Sequence, residues 1–193
     1  MKIVSNDTAK EYSNKIEKFK KIEEKLYFEV CHFLSDDKYN LNEFQHIEIT
    51  SRIKSYSSAE KKLRNQLELT AHDKSSIFDL DDIIGIRISV FPLTLLRNIE
   101  KKLDEKFKSW KKEKSCHGRY SVYKYRSNYE KANCEIQLVP MLVGKFWDVE
   151  HSVIYKSKLS KNEDLNKSYD VIINALHDYE NQVIDVLKYM NNQ

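Results

Sequence analysis

The sequence predicts an α/β (α+β) fold, with a few strands enclosed by helices and a long helix at each end. Three observations carry this. A short, Ile- and Val-rich run at 83–91 reads as a buried central strand. Two later segments, 119–126 and 133–139, alternate or concentrate apolar residues as strands do. Long stretches near both ends repeat apolar residues at three- and four-residue steps, and with only three Gly and two Pro the chain suits long helices better than a loop-rich or all-β fold.

The elements follow in order. Asp7 or Thr8 is placed to cap a first helix, whose stripe is Tyr12, Ile16, Phe19, Ile22, Leu26, Val30 and Phe33, with Lys and Glu opposite. Ser35-Asp36-Asp37 ends it. Residues 41–50 give a weak helical or extended signal. A second helix, capped by Ser57 or Ser58, starts just after Arg52 and Lys54. The acidic cluster Asp79-Leu80-Asp81-Asp82 then opens the central strand. Pro92 breaks that strand and starts a helix with Leu95, Leu96, Ile99, Leu103 and Phe107 on one face. Its last turn leads into Lys106, Lys108, Lys111, Lys112 and Lys114 around Trp110, either a solubilising surface or a phosphate-facing edge. His117-Gly118-Arg119 turns into a strand, 127–131 is a polar hairpin, and 133–139 returns antiparallel. Pro140 starts a helix carrying Val143, Phe146, Trp147, Val149, Ile154 and Tyr155. The last helix has Tyr169, Ile172, Ile173, Leu176, Val183, Leu187 and Met190 as a core-facing stripe.

Composition narrows the function classes. At 193 residues the simplest reading is one domain, 1–193, with a sizeable core. A net charge of +3 argues against a histone-like basic protein but leaves room for local basic patches. Cys31, Cys116 and Cys134 are isolated and odd in number, which fits neither a disulfide framework nor a zinc knuckle and suits a reducing cytoplasm. No signal peptide or membrane span is expected.

Two carboxylates frame the chemistry. Asp82 sits at the mouth of the central strand and Glu135 inside a second strand, and divalent cations such as Mg²⁺ take carboxylate oxygens. Arg87 interrupts the apolar run, and a buried Arg requires a partner or a ligand. Arg52, Lys54, Ser58 and Lys62 gather cationic and hydroxyl donors around a helix start, a natural place for an anion.

Four pieces then resemble, in order, the synthetase domain of the RelA/SpoT family in its small single-domain form. Arg52-x-Lys54 with Ser58 and Lys62 resembles R-x-K-S-x-x-S-x-x-x-K, and Asp82-Ile83-Ile84-Gly85-Ile86-Arg87 resembles D-I-A-G-I-R. Glu135-Ile136-Gln137 resembles E-I-Q, and Glu150-His151 with Tyr155-Lys156 resembles E-H-x-x-x-Y-K. The resemblance covers roughly 45–156. It implies a nucleotidyltransferase-like mixed sheet flanked by helices, and transfer of the β,γ-diphosphate of ATP to a ribose 3′-hydroxyl of a GDP- or GTP-like nucleotide, giving a (p)ppGpp-type alarmone and AMP. By resemblance, Arg52 and Arg87 stack on adenine, and Lys54, Ser58 and Lys62 contact the ATP phosphates. Asp82 and Glu135 hold magnesium, with Glu135 also activating the acceptor hydroxyl, and Gln137 lies beside the acceptor.

The acceptor loop departs from the family pattern G-Y-R-S-L-H. Here Gly118-Arg119-Tyr120-Ser121-Val122-Tyr123 puts Arg119 where Tyr is expected, Tyr120 where Arg is, and Tyr123 in place of His. Either Tyr120, by a one-residue shift, or Arg119 is then the planar partner of the acceptor base, with Lys114 or Lys112 near a phosphate. Three functions stay open: synthesis of (p)ppGpp or an adenine relative; the toxic branch of the family, which modifies the 3′ end of tRNA and is held by an antitoxin; and a degenerate nucleotide-binding module. A homo-oligomer is a further expectation. A metal hydrolase built on His72-Asp73 or His177-Asp178 is set aside, because the family's hydrolase is a separate large helical domain.

Overall fold

In the computed structural model, residues 6–35, 45–69, 76–153 and 163–190 are described. Helix α1 (Asn6–Ser35) is followed by strand β1 (His46–Ile53), helix α2 (Tyr56–Leu69), a single 3-10 turn (Ile77–Asp79) and strand β2 (Ile84–Phe91). Then come α3 (Leu93–Lys106), the consecutive strands β3 (Lys111–His117), β4 (Tyr120–Tyr129) and β5 (Ala132–Pro140), α4 (Met141–Val153) and α5 (Glu163–Met190). The strands form one mixed sheet in the order β1-β2-β5-β4-β3, in which β2 and β5 run parallel and every other pair is antiparallel.

The sheet has an apolar face and a polar face because side chains alternate along each strand. Ile49, Ile88, Leu138 and Tyr123 stand side by side in register, as do Ile86, Ile136 and Tyr125. These residues form the main core with Tyr12, Phe19, Ile22, Leu26 and Val30 of α1 and Leu95, Leu96, Ile99 and Leu103 of α3. The α1 stripe thus packs as its spacing predicts. The opposite face carries two polar rows, Arg52-Gly85-Glu135-Arg126-Lys111 and Thr50-Arg87-Gln137-Lys124-Glu113. A smaller core of Tyr120, Val143 and Ile173 lies on this polar side, where α4 and α5 cover one end of the sheet.

Several local expectations change. The weak signal at 41–50 resolves into β1, paired along its length with β2. The lysine-rich segment after α3 is an edge strand, β3, whose alternation is invisible because four successive residues, Lys111 to Lys114, are exposed. The hairpin between β4 and β5 is tighter than a five-residue loop: only Glu130 and Lys131 turn, both with positive φ (47° and 67°). Ser55 caps α2, rather than Ser57 or Ser58; its Oγ accepts from the Ser58 backbone N–H at 3.3 Å. Asp7 and Thr8 fall inside α1. On α5 the buried line is Ile173, Glu180 and Ile184, while Ile172 and Met190, expected in the core, are 40% and 53% exposed. Ile154, Tyr155, Lys156, His72 and Asp73 lie outside the described residues. Among the described residues no helix is long and apolar enough to cross a membrane.

Candidate active site

The polar face of the sheet opens into a cavity of about 220 Å³, lined by Thr50, Arg52, Asp82, Arg87, Glu135, Gln137 and Asp148 together with Ser51, Gly85 and Ile86. Its floor is set by strand pairing. Because β2 and β5 are parallel neighbours with Gly85 opposite Glu135, the start of the Asp82 strand lies beside the Glu135 strand. Gly85 leaves room for its other neighbour: a Cβ there would stand 3.7 Å from Cγ and Nε of Arg52, which lies across this position.

Asp82 is held from one side. Its Oδ2 receives Lys54 Nζ and Lys62 Nζ, each at 2.9 Å. The backbone arranges this: Lys54 N–H donates to the Ile83 carbonyl at 2.9 Å, extending the β1–β2 ladder to the residue next to Asp82, and Lys62 follows two turns later on α2. Tyr12 anchors the same segment by donating to the Lys54 carbonyl. Burial pushes the Asp82 carboxyl up, but hydrogen bonds and charge from Lys62 and Lys54 outweigh it and hold it below the usual carboxylate range. Its second oxygen, Oδ1, is buried without a hydrogen-bond partner. A lone buried carboxylate oxygen of this kind is costly unless a cation or donor meets it.

Glu135 is 4% exposed and engaged at both oxygens. Arg126 Nε donates to Oε2 at 2.7 Å and Gln137 Nε2 donates to Oε1 at 2.5 Å. At the other side of the cavity Arg87 Nη1 donates to Asp148 Oδ1 at 2.7 Å. No cluster of three or more His, Cys, Asp or Glu side chains with metal-binding spacing occurs among the described residues. Asp82 and Glu135, two of the three carboxylates on the cavity and the first with an open oxygen, nevertheless match what Mg²⁺ takes from a protein when substrate phosphates and water complete its shell.

The sequence-derived residues divide into two groups. Arg52, Asp82, Arg87, Glu135 and Gln137 line the cavity, and Lys54 and Lys62 reach it through Asp82. Ser58, in the first turn of α2, accepts from Ser55 Oγ at 2.9 Å. The acceptor-loop residues are placed elsewhere. Tyr123 and Lys114 are cross-strand partners on the apolar face of the sheet, and Ser121, two residues before Tyr123, shares that side. Tyr123 is 7% exposed. Tyr120 does belong to the cavity's face but is 1% exposed, packed beneath α5 with its ring 5.3 Å from that of His177. Arg119 points to α5 and pairs with Asp178 at 2.9 Å. A planar residue from this loop therefore does not meet the cavity, because α5 covers the turn that carries it. His177 also sits by Asp178, at 3.8 Å, within this packing.

Sequence reasoning missed Asp148, Arg126 and Thr50. Arg126 was within reach: a two-residue turn at Glu130-Lys131 puts Tyr129 opposite Ala132 and hence Arg126 opposite Glu135. Asp148 had no signal, since it meets Arg87 only through the placement of α4 on the sheet.

No protein-family profile matches the chain, and no curated protein matches it. Solved structures do. Small alarmone synthetase 1 from Bacillus subtilis superposes with a TM-score of 0.68 at 17% identity, covering 95% of this chain and 100% of that one. This chain has the fold of the small alarmone synthetases. The same enzyme bound to its product pppGpp gives a TM-score of 0.68 at 18% identity over 94% of this chain and 98% of that one. A GTP pyrophosphokinase family protein from Streptococcus pneumoniae gives 0.67 at 16% identity over 93% and 94%. The alarmone-synthetase fold spans both long terminal helices, not only the segment of the sequence motifs.

Proposed function

We propose that this protein is an ATP-dependent pyrophosphokinase that moves the β,γ-diphosphate of ATP to the 3′-hydroxyl of a guanine or other purine nucleotide, releasing AMP. The observation that carries the reading is the meeting of Asp82 and Glu135 on one cavity, beside Arg52 and Arg87, with Asp82 Oδ1 unpartnered. The fold supports it, since similar structures were solved with pppGpp and with the ATP analogue AMPCPP.

Each residue has a task that its chemistry suits. The guanidinium groups of Arg52 and Arg87 are flat and can sandwich a purine, which an ammonium does poorly. Lys54 and Lys62, now on Asp82, supply mobile positive charge for phosphate oxygens. Asp82 and Glu135 would hold Mg²⁺, which when bound offsets the negative charge of the transferring phosphates. Glu135 accepts the proton of the attacking 3′-hydroxyl, and Gln137, hydrogen-bonded to it, orients the pair. Pyrophosphoryl transfer needs little more from protein than this alignment and charge.

A second reading, transfer to the 3′ end of tRNA, draws on two observations. The acceptor loop is turned away from the cavity, and the edge strand β3 exposes Lys111 and Lys114. Incubation with labelled ATP and a panel of GDP, GTP, ADP, ATP and deacylated tRNA tests both. AMP release with a free nucleotide supports the first reading, and release with tRNA alone supports the second. ATP binding without AMP release for any acceptor selects a nucleotide-binding module and rejects both.

A further inference from the structure

The buried Glu135 carboxylate has an unusual attachment. It is held by Nε of Arg126 rather than by the fork of that guanidinium, because Arg126 Nη1 is already committed to Glu113 Oε2 at 2.5 Å. The result is a chain of charged groups across three strands: Glu113 on β3, Arg126 on β4, Glu135 on β5, with Gln137 closing the far side. Strand register enforces it. Arg126 stands directly opposite Glu135, and Glu113 is two residues along β3 from Arg126's other neighbour, Lys111. Exposure falls inward along the chain, from 48% at the Glu113 side chain through 23% at Arg126 to 6% at Glu135.

We propose that Arg126 is a positioning residue for Glu135, with Glu113 acting as the anchor that aims it. This rests on the reading of Glu135 as the group facing the acceptor hydroxyl. A carboxylate accepts about four hydrogen bonds, and the two made here leave capacity on both oxygens for the cavity. Arg126 removes the alternatives open to a buried carboxylate beside cations. Without it, Glu135 is free to swing toward Lys54, Lys62 or Arg52, which takes the acceptor base out of line. Lysine cannot substitute fully, since a single ammonium does not bridge two carboxylates in a fixed plane.

The test uses the full chain with the acceptor that supports AMP release. R126A is expected to lower kcat about a hundredfold, the scale of a misplaced general base, while affinity for a non-hydrolysable ATP analogue stays within about twofold. Guanidinium ion at tens of millimolar restores about tenfold of the loss, and methylammonium does not, because only the planar donor fits between the two carboxylates. R126K retains intermediate activity, and E113Q loses about threefold to tenfold in kcat with ATP-analogue affinity unchanged. The proposal is overturned if R126A keeps kcat within about threefold of wild type, if analogue affinity falls in step with kcat, or if a cooperatively melting R126A shows no guanidinium rescue. If R126A does not fold, E113Q with unchanged kcat overturns it. A wild-type chain that releases no AMP with any acceptor defeats the underlying reading instead, and this proposal with it.

Discussion

Arg87 and Asp148 face each other across the rim of the cavity, one guanidinium nitrogen 2.7 Å from one carboxylate oxygen. Their side chains are 25% and 59% exposed, so the pair contributes little to stability, about 0 to 1 kcal/mol. On the proposed function its use is orientation: Asp148 would set where the Arg87 plane rests before a base arrives. D148N is expected to raise the KM for ATP by about twofold to fivefold and leave kcat nearly unchanged, the pattern of lost uniform binding. R87K, which keeps charge but loses the plane, is expected to raise KM by about tenfold or more. Steady-state kinetics on both variants would check this, and equal KM values for R87K and wild type would remove Arg87 from the base site.

If Asp82 acts as proposed, its pairing with Lys54 and Lys62 couples catalysis to stability. The Asp82 and Lys54 side chains are each 11% exposed, so an uncharged residue at 82 leaves an ammonium poorly compensated. D82N is expected to cost roughly 2 kcal/mol in a denaturant melt, below the range for a fully buried pair because Lys62 is partly solvated. It should also cut AMP release by at least about a hundredfold. The pH dependence has a definite sign. The folded pKa of Asp82 is lowered, so its contribution is present above the unfolded value near 3.8 and is lost as pH falls through the lower folded value. Wild type should therefore lose stability on acidification below about pH 4 more steeply than D82N. Parallel acid limbs for the two proteins would contradict the ion pair.

Much of this site was legible because its residues sit where local pattern and strand register agree. Asp82 precedes an apolar run that only a central strand explains, and Glu135 lies in the run that pairs with it. What was not legible depends on contacts between distant elements or on turns lacking their usual residues. β3 reads as a lysine-rich surface following α3 because an edge strand with four exposed residues shows no alternation. The Glu130-Lys131 turn has two positive-φ residues but neither Gly nor Asn, so the signal that fixes Arg126 opposite Glu135 was missing. On α5, Ile172 and Ile173 are adjacent, and only packing against Gly118 and Tyr120 decides which one is buried. That same packing covers Tyr120, which the sequence alone offered as a base platform.

Glu180 makes the seat of α5 sensitive to pH. It is fully buried, neither carboxylate oxygen closes a hydrogen bond of good geometry, and the Tyr120 hydroxyl beside it is likewise unpartnered. Burial raises the Glu180 pKa to about 7, against smaller lowering effects from Tyr120 and the Leu93 backbone. Here the acid's folded pKa lies above its unfolded value. Stability is therefore fully present below the ordinary glutamate range near 4.3 and falls as pH rises toward 7, by about 3 kcal/mol at most. E180Q, permanently neutral, should lose this slope and become the more stable protein at pH 8. Chemical denaturation at pH 5.5 and pH 8 measures it, and a wild-type stability that is flat over that interval would show that Glu180 stays charged or is hydrated.

Gly118 is the remaining fixed point between the sheet and α5. It turns β3 into β4 with φ of +56°, and a Cβ there would lie 2.7 Å from Cγ2 of Ile173, which is itself buried. Two penalties thus fall on one substitution: a left-handed backbone, which costs a non-glycine residue about 1 kcal/mol, and a clash inside a packed contact, which costs about 1 to 3 kcal/mol. They can be separated. G118A is expected to lose roughly 2 to 4 kcal/mol, and the same change made in an I173A background should be less damaging, because the clash disappears while the backbone strain persists. A double-mutant cycle on denaturant unfolding gives the coupling directly. A coupling near zero would mean that α5 already rides away from the turn, and Tyr120, on the cavity's face of the sheet, would then be uncovered.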